Sequence, residues 1–298
     1  MQSTQELALT VNLRIVSLIL LGGLSFGPAI LAAGAPPAIP MPAIPIPQAQ
    51  QPQAALPAAQ PSQTSQIPAL PPPRAGFSFP AKQTLTYAVD WRVFPAATAV
   101  LHFEADGNKE HLNVTADTLG AINLIFHVSD KFQTTFDREK GCSAEFNKQT
   151  VEGSRQVNST LKLDYQQGKS VLDEKNLKTG QTKHLESGIP NCLTDLLTGV
   201  FYASSQPIEV GKSFSMPVVD PLRTVVVTMK AEGKEELKTP AGTFKTIRVQ
   251  PTADAGVVKN RGQIWIWYTD DERHLPVQMR ARSFWGTITF RLATIENK

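Results

Sequence analysis

From Phe77 onward, apolar and polar side chains alternate with period two, placing every second residue on one face of an extended strand. The alternation predicts strands at 84–94, 98–105, 111–118, 131–137, 159–165, 222–230, 244–250, 263–269, 276–283 and 287–293. Turn chemistry falls between them, at Asp106-Gly107-Asn108, Lys140-Gly141, Gln167-Gly168, Thr179-Gly180, Glu232-Gly233 and Trp285-Gly286. Sequential strands with short connections predict an antiparallel meander, and a sheet of this many strands twists and curls rather than lying flat. The expected fold class is all-β: a large antiparallel meander sheet rolled into a half barrel or open barrel, with one helix packed on or near its concave face.

That helix comes from the one segment that breaks the alternation. Residues 191–204 carry apolar side chains at 193, 196, 197, 200 and 201, the stripe of an amphipathic helix, with Asn191 or Thr194 as its cap. It either plugs the concave face or lies on the surface. A second irregularity is Ile264-Trp265-Ile266-Trp267-Tyr268, apolar on both faces, which predicts a strand covered on both sides or lining a cavity. Together with Trp91, Phe201, Tyr202 and Trp285, Trp265 and Trp267 form a candidate stacking or greasy groove, the alternative being ordinary packing between sheet and helix.

The first 76 residues follow other rules. Residues 15–33 are an uncharged apolar run after Arg14, ending in Ala32-Ala33-Gly34-Ala35, the pattern of a secretory signal peptide over residues 1–34 cleaved after Gly34. The competing reading is an uncleaved anchor at 15–33, and membrane contact is expected only through that leader. No cysteine stands just after the run, so a lipidated N-terminus is not expected. Between Ala35 and Pro73 lie 13 of the 23 prolines and no charged residue. Proline fixes φ and donates no hydrogen bond, so residues 35–76 are read as a disordered or polyproline linker that reaches up to about 120 Å. It serves as a tether or a passive spacer; a P-x-x-P ligand would have only Arg74 as its basic flank. Residues 77–298 then form a single β-rich domain.

Composition narrows the function classes. With 41% hydrophobic residues and a net charge of +3, the chain is too apolar for a disordered protein and too weakly basic for a dedicated nucleic-acid binder. In an exported chain, the two cysteines, Cys142 and Cys192, predict one disulfide; two buried free thiols are the alternative, and C-x-x-C redox spacing is absent. The five histidines show no H-x-H or H-E-x-x-H spacing, which disfavours zinc, and there is no G-x-S-x-G elbow. Gly211-Lys212-Ser213 lacks the first glycine of a P-loop, where Gln206 stands. Asp270-Asp271-Glu272 could bind calcium or act as an acid, but reads first as a solvated hairpin turn. No catalytic residue, metal site or cofactor is assigned.

Several short motifs recur in order: Leu85-Thr-Tyr87-x-x-x-Trp91, the Asp195-centred Cys-Leu-Thr-Asp-Leu-Leu, Thr239-Pro240-Ala241-Gly242-Thr243-Phe244, Gly262-x-x-x-x-Trp267, Asp270-Asp271 with Leu275-Pro276-Val277, and a closing strand opened by Gly286. Over about residues 77–298 this series resembles the domain-of-unknown-function 3108 family of exported bacterial proteins. The resemblance implies a meander rolled into a half barrel, similar to periplasmic capsule-locus lipoproteins. It also implies structural roles for Asp195, Gly242, Phe244, Asp271, Pro276 and Gly286. It implies no activity. One departure is that the glycine expected where the chain turns after the first strand is replaced around Pro95-Ala96. The expected function is a non-catalytic protein of the periplasm or cell envelope whose curved sheet binds a lipid, acyl or glycan ligand. The alternatives are a structural or assembly partner of an envelope protein, and an enzyme acting on envelope polymers through Asp271 and Glu272.

Overall fold

The computed structural model describes residues 67–260, 262–283 and 286–297; the leader and residues 35–66 of the linker lie outside the described residues. The chain runs through β1 (Lys82–Trp91), β2 (Phe94–Asp106), β3 (Lys109–Thr118), α1 (Gly120–Ile125), β4 (Val128–Asp137), β5 (Ser143–Glu152), β6 (Arg155–Asp164), β7 (Lys169–Asn176), β8 (Thr182–Gly188) and the two-residue β9 (Thr194–Asp195). It continues with α2 (Leu196–Tyr202), β10 (Ser213–Asp220), β11 (Arg223–Thr239), β12 (Gly242–Ala253), α3 (Gly256–Asn260), β13 (Gln263–Thr269), β14 (Pro276–Ser283) and β15 (Gly286–Asn297). Among the described residues all 15 strands belong to one sheet, ordered β8-β7-β6-β5-β4-β3-β2-β1-β15-β14-β13-β12-β11-β10-β9. Neighbours are antiparallel except β9 and β10, which are parallel. The expected meander is therefore present, with the first and last strands of the domain, β1 and β15, paired at its centre.

The sheet curls past its own edge without closing. Alternate residues on β1 to β4, such as Leu85, Tyr87, Leu101, Phe103, Val114 and Phe132, form the main core with the inward side chains of β10 to β15. On β10, Val218 joins that core, whereas its neighbour Val219 packs with Leu161, Leu163 and Leu172 of β6 and β7 and with Leu193. The β9–β10 edge is thus covered on its second face by the β5–β7 wing, which shields its apolar surface from water. A single backbone bond, from Ser143 N to Leu193 O at 2.8 Å, links that edge to the start of β5. The Cys142–Cys192 disulfide lies beside it.

Five strands escape the periodicity. β5, β7 and β8 are rich in charged and polar residues, and β8 is exposed along almost its whole length, so no apolar alternation marks it. β10 contains Pro217, which normally argues against a strand, and β9 is only two residues long. The turn expected at Glu232-Gly233 is instead a bulge inside β11, where the register shifts. The first hairpin turns at Arg92-Val93, ahead of Pro95-Ala96: Trp91 pairs with Phe94, Arg92 takes φ 57°, and Pro95 sits opposite Asp90 at a register shift that tolerates its missing N–H.

The amphipathic segment forms α2 inside the curl, with Leu197, Phe201 and Tyr202 in the main core. Its cap is Asp195, not Asn191 or Thr194. Asp195 Oδ1 accepts from the backbone N–H groups of Leu197 and Thr198, both at 2.9 Å. Asp195 Oδ2 accepts from the hydroxyls of Thr134 and Ser143 at 2.6 Å and Thr198 at 2.7 Å. One buried carboxylate therefore ties α2, β4 and the start of β5 together, with every contact a charge-assisted bond.

Residues Ile67–Gly76, which composition assigns to the linker, pack with the domain. Tyr202 Oη donates to Pro71 O at 2.6 Å and Arg74 N donates to Ser205 O at 2.8 Å. The Arg74 guanidinium reaches the carbonyls of Ser204 and Glu272 and lies 3.3 Å from His274 Nδ1. Phe77 and Phe79 stack edge-on, and Phe79 O accepts from Arg138 at 2.6 Å. Arg138 in turn lies 3.2 Å from the fully buried carboxylate of Glu110. Burial pushes Glu110 up to about 7, against the opposing pull of Arg138.

Two outcomes are expected. Asp195→Ala removes a cap worth about 1 kcal/mol and takes the acceptor from three buried hydroxyls, so urea unfolding should show a loss of about 3 kcal/mol or more; reducing the disulfide, which closes a 50-residue separation, should cost up to about 4 kcal/mol on its own. The folded state holds the Glu110 proton more tightly than the unfolded chain, so its stabilising share is full below the ordinary 4.5 and is lost as pH rises to about 7. Melting of Glu110→Gln against the parent across pH 4 to 8 should show the variant gaining relative stability toward pH 8; parallel curves would contradict the assignment.

Candidate functional site

The concave side of the sheet and α2 do not fill the interior completely. Between them lies an apolar cavity of about 100 Å3, walled by α2, by β2, β10, β11, β13, β14 and β15, and by Val257 and Val258 of α3. Arg280 is the one charged residue in its wall. Met216, Met229 and Met279, all the methionines among the described residues, line it. Methionine is unbranched and polarisable, so a wall built from it can repack around occupants of different shape. Val257 N donates to Asp220 Oδ2 at 2.8 Å, which latches α3 to the β10–β11 turn.

At the opposite end of the sheet, under the segment that precedes β1, lies an open cleft of about 710 Å3. Its walls mix Phe77, Phe79 and Phe103 with Gln83, Glu272 and Asn297. Phe201 of α2 lines both this cleft and the apolar cavity and packs edge-on against Phe103 at 4.9 Å. On the wing side, Leu196 separates the apolar cavity from a smaller void of about 40 Å3 bordered by Lys148 and Asp195. Lys148 lies 6.0 Å from the centre of the Phe132 ring. Burial, helped by Arg155, pulls its amine down to about 8 against the carboxylates of Glu152, Asp130 and Glu174.

Of the six aromatic residues singled out by sequence, the five that are described do not assemble into one groove. Phe201 and Tyr202 lie on α2, but only Phe201 borders the cavity, while Tyr202 is turned to Pro71 and its phenol is pushed up to about 12 by burial. Ile264 and Ile266 face the cavity, which puts Trp265 and Trp267 on the opposite face of β13. There Trp267 Nε1 donates to Glu235 at 2.7 Å and the Arg280 guanidinium lies 5.3 Å from its ring centre. Trp91 sits at the β1–β2 turn under the Arg92 guanidinium, 5.3 Å away. Trp285 lies outside the described residues. The residues that do line the cavity, the methionines above all, left no linear motif, because they come from separate strands and meet only through the curl.

The motif residues hold structural positions. Gly242 is at the tip of the β11–β12 hairpin, where Ala241 N donates to Leu292 O at 3.0 Å, and Phe244 packs against the main core. Pro276 O accepts from the buried Tyr87 hydroxyl at 2.6 Å. At Gly286, φ 132° is a backbone conformation that a side chain would strain. Asp271 Oδ1 accepts from Thr269 and from Arg273 N, and Oδ2 from the Arg273 guanidinium. Burial pulls Asp271 up, but these hydrogen bonds outweigh it and hold it below the usual range. Asp270 is paired with Lys234 at 2.7 Å. Among the described residues no cluster of three His, Cys, Asp or Glu side chains could hold a metal ion.

No curated protein matches the chain in sequence. Among solved structures, the chain is similar to a β-barrel-like protein of the DUF1849 domain from Brucella abortus, at 9% identity and a TM-score of 0.51, over 74% of this chain and 100% of that one. An exported protein by its name, with a YmcC-like fold, from Bacteroides fragilis aligns at 9% identity and a TM-score of 0.34, over 74% and 99%. The first likeness shows a shared fold and nothing more. The family model described as a protein of unknown function, DUF3108, matches residues 86–293, from the middle of β1 into β15, and the chain belongs to that family.

Proposed function

We propose that this chain is a non-catalytic, exported envelope protein that holds an apolar or acyl group in the cavity between α2 and the concave face of the sheet. The carrying observation is the cavity wall, almost wholly apolar and containing every methionine of the described residues. Small-molecule sites pair an apolar lining with few polar groups, as here. At about 100 Å3 the resting cavity is smaller than the roughly 150 Å3 needed for a benzene-sized occupant, so a longer chain enters by displacing methionine side chains. Export is supported by the apolar leader in the sequence and by the Cys142–Cys192 disulfide, a pairing that oxidising compartments preserve.

A second reading, an assembly partner, has one observation in its favour. β8 ends the sheet with an exposed edge able to add a strand from another chain. Lys183, His184 and Glu186 on that strand are the charges with which sheets commonly discourage such pairing, so this reading ranks lower.

Titration with a fluorescent acyl probe tests the proposal. The parent should bind saturably, Ala281→Phe, which places a ring in the cavity wall, should bind at least tenfold more weakly, and Trp265→Leu on the opposite strand face should bind as the parent does. Unsaturable binding by the parent, or equal affinity of Ala281→Phe in a variant with unchanged melting, would refute a cavity site.

A further inference from the structure

The end of the sheet that carries α3 has another property. Pairing registers place the β1–β2 turn, the β3–β4 connection with α1, the β10–β11 turn, the β12–β13 connection with α3, and the paired ends Ser283 and Gly286 at this one end. Four of the large apolar side chains left exposed sit here: Val93 at 82%, Phe94 at 58%, Leu119 at 45% and Leu124 at 89%. Leu119 N donates to Ala96 O at 3.0 Å, so the two apolar loops are immediate neighbours. Water gives these side chains nothing in return for such exposure, and they stand on loop tips rather than in a groove that could receive a partner helix.

α1 strengthens the point. It is six residues long, has no side-chain cap, no acid in its first turn and no base in its last. Such a helix is marginal in water and gains from an apolar environment. On this end of the sheet exposed Arg92, Lys259 and Arg282 outnumber exposed Asp117 and Asp254, while Arg155 is paired with Glu152 and Arg223 with Asp220. The Arg92 guanidinium over Trp91 is the kind of cation and aromatic pair that suits a headgroup layer.

We propose that this end of the sheet docks on a lipid bilayer bearing anionic headgroups, with Val93, Phe94, Leu119 and Leu124 entering the acyl boundary. The same end carries Val257 and Val258, which wall the apolar cavity, so docking presents that cavity to the membrane from which an acyl chain would come. Naming the bilayer as the source rests on the acyl-binding reading, whereas the docking itself rests on the tip. The segment leading into β1 packs at the other end of the sheet, beside Ser204 and Glu272, leaving this tip unobstructed by it.

The two native cysteines are joined, so a new thiol is the only one available for labelling. In the full chain, Val93→Cys and Leu124→Cys, each carrying an environment-sensitive fluorophore, should shift to the blue on vesicles of phosphatidylethanolamine and phosphatidylglycerol and much less on phosphatidylcholine. Val210→Cys, exposed at the other end, should not shift. Phe94→Ser with Leu124→Ser should lower vesicle partitioning at least tenfold with melting unchanged. Tip labels that keep their aqueous emission, or a Val210 label that shifts as much, would overturn the proposal. Docking that persists in Ala281→Phe supports it independently of the cavity; a parent that docks but takes no acyl probe leaves the docking standing and removes the cargo reading.

Discussion

The interior of this molecule depends on one buried carboxylate. A sheet of 15 strands has two edges, and a curl that leaves the β9 edge unpaired would expose its backbone inside the roll. Ser143 pairs with that edge, its N–H donating to Leu193 O and its hydroxyl accepting from Asp195 N, while the Asp195 carboxylate accepts from three hydroxyls and two backbone N–H groups at once, so that a two-residue strand, the helix that follows it and the facing strand β4 share one anchor. Tyr165 reinforces the same spot, its hydroxyl donating to Ser143 O at 2.6 Å and accepting from Leu193 N at 3.1 Å. With the edge held there, α2 lies against the concave face, and the space between it and β10 to β15 is the apolar cavity.

What the sequence revealed and what it hid follow from the same geometry. Strands that bury one face, such as β1 with Leu85, Tyr87 and Val89, announce themselves by alternation. β5, β7 and β8 bury little or bury charges, as β5 does with Lys148 and Glu152, so their period is erased, whereas β6 keeps it through Leu161 and Leu163. Asp195 stands in a recognisable motif, and Asn191 and Thr194 offer the same capping chemistry in sequence, while its further partners Thr134 and Ser143 lie more than 50 residues away in the chain. The tryptophans of β13 drew attention by size. The smaller Ile264 and Ile266 took the cavity face, since alternation says which residues share a side but not which side is concave.

The two ends of the sheet divide the remaining work. At one end the proline-rich segment is pinned by Tyr202, Arg74 and Arg138, and His274 beside Arg74 is held below its ordinary range by burial and by that guanidinium. At the other end loops expose apolar tips next to α3 and the cavity wall. Phe201 borders both the open cleft and the apolar cavity. Asp271 stands in the β13–β14 turn, its oxygens accepting from Thr269 and Arg273.

The central claim is that this interior exists to hold an apolar group. Native mass spectrometry of the full chain, recovered from the envelope of the cell that makes it and without detergent exchange, tests that most directly. If the interior holds an apolar group, the spectrum should show a species heavier than the disulfide-bonded polypeptide by the mass of one lipid, released on unfolding. A single species at the bare polypeptide mass, with the fold intact, would contradict it.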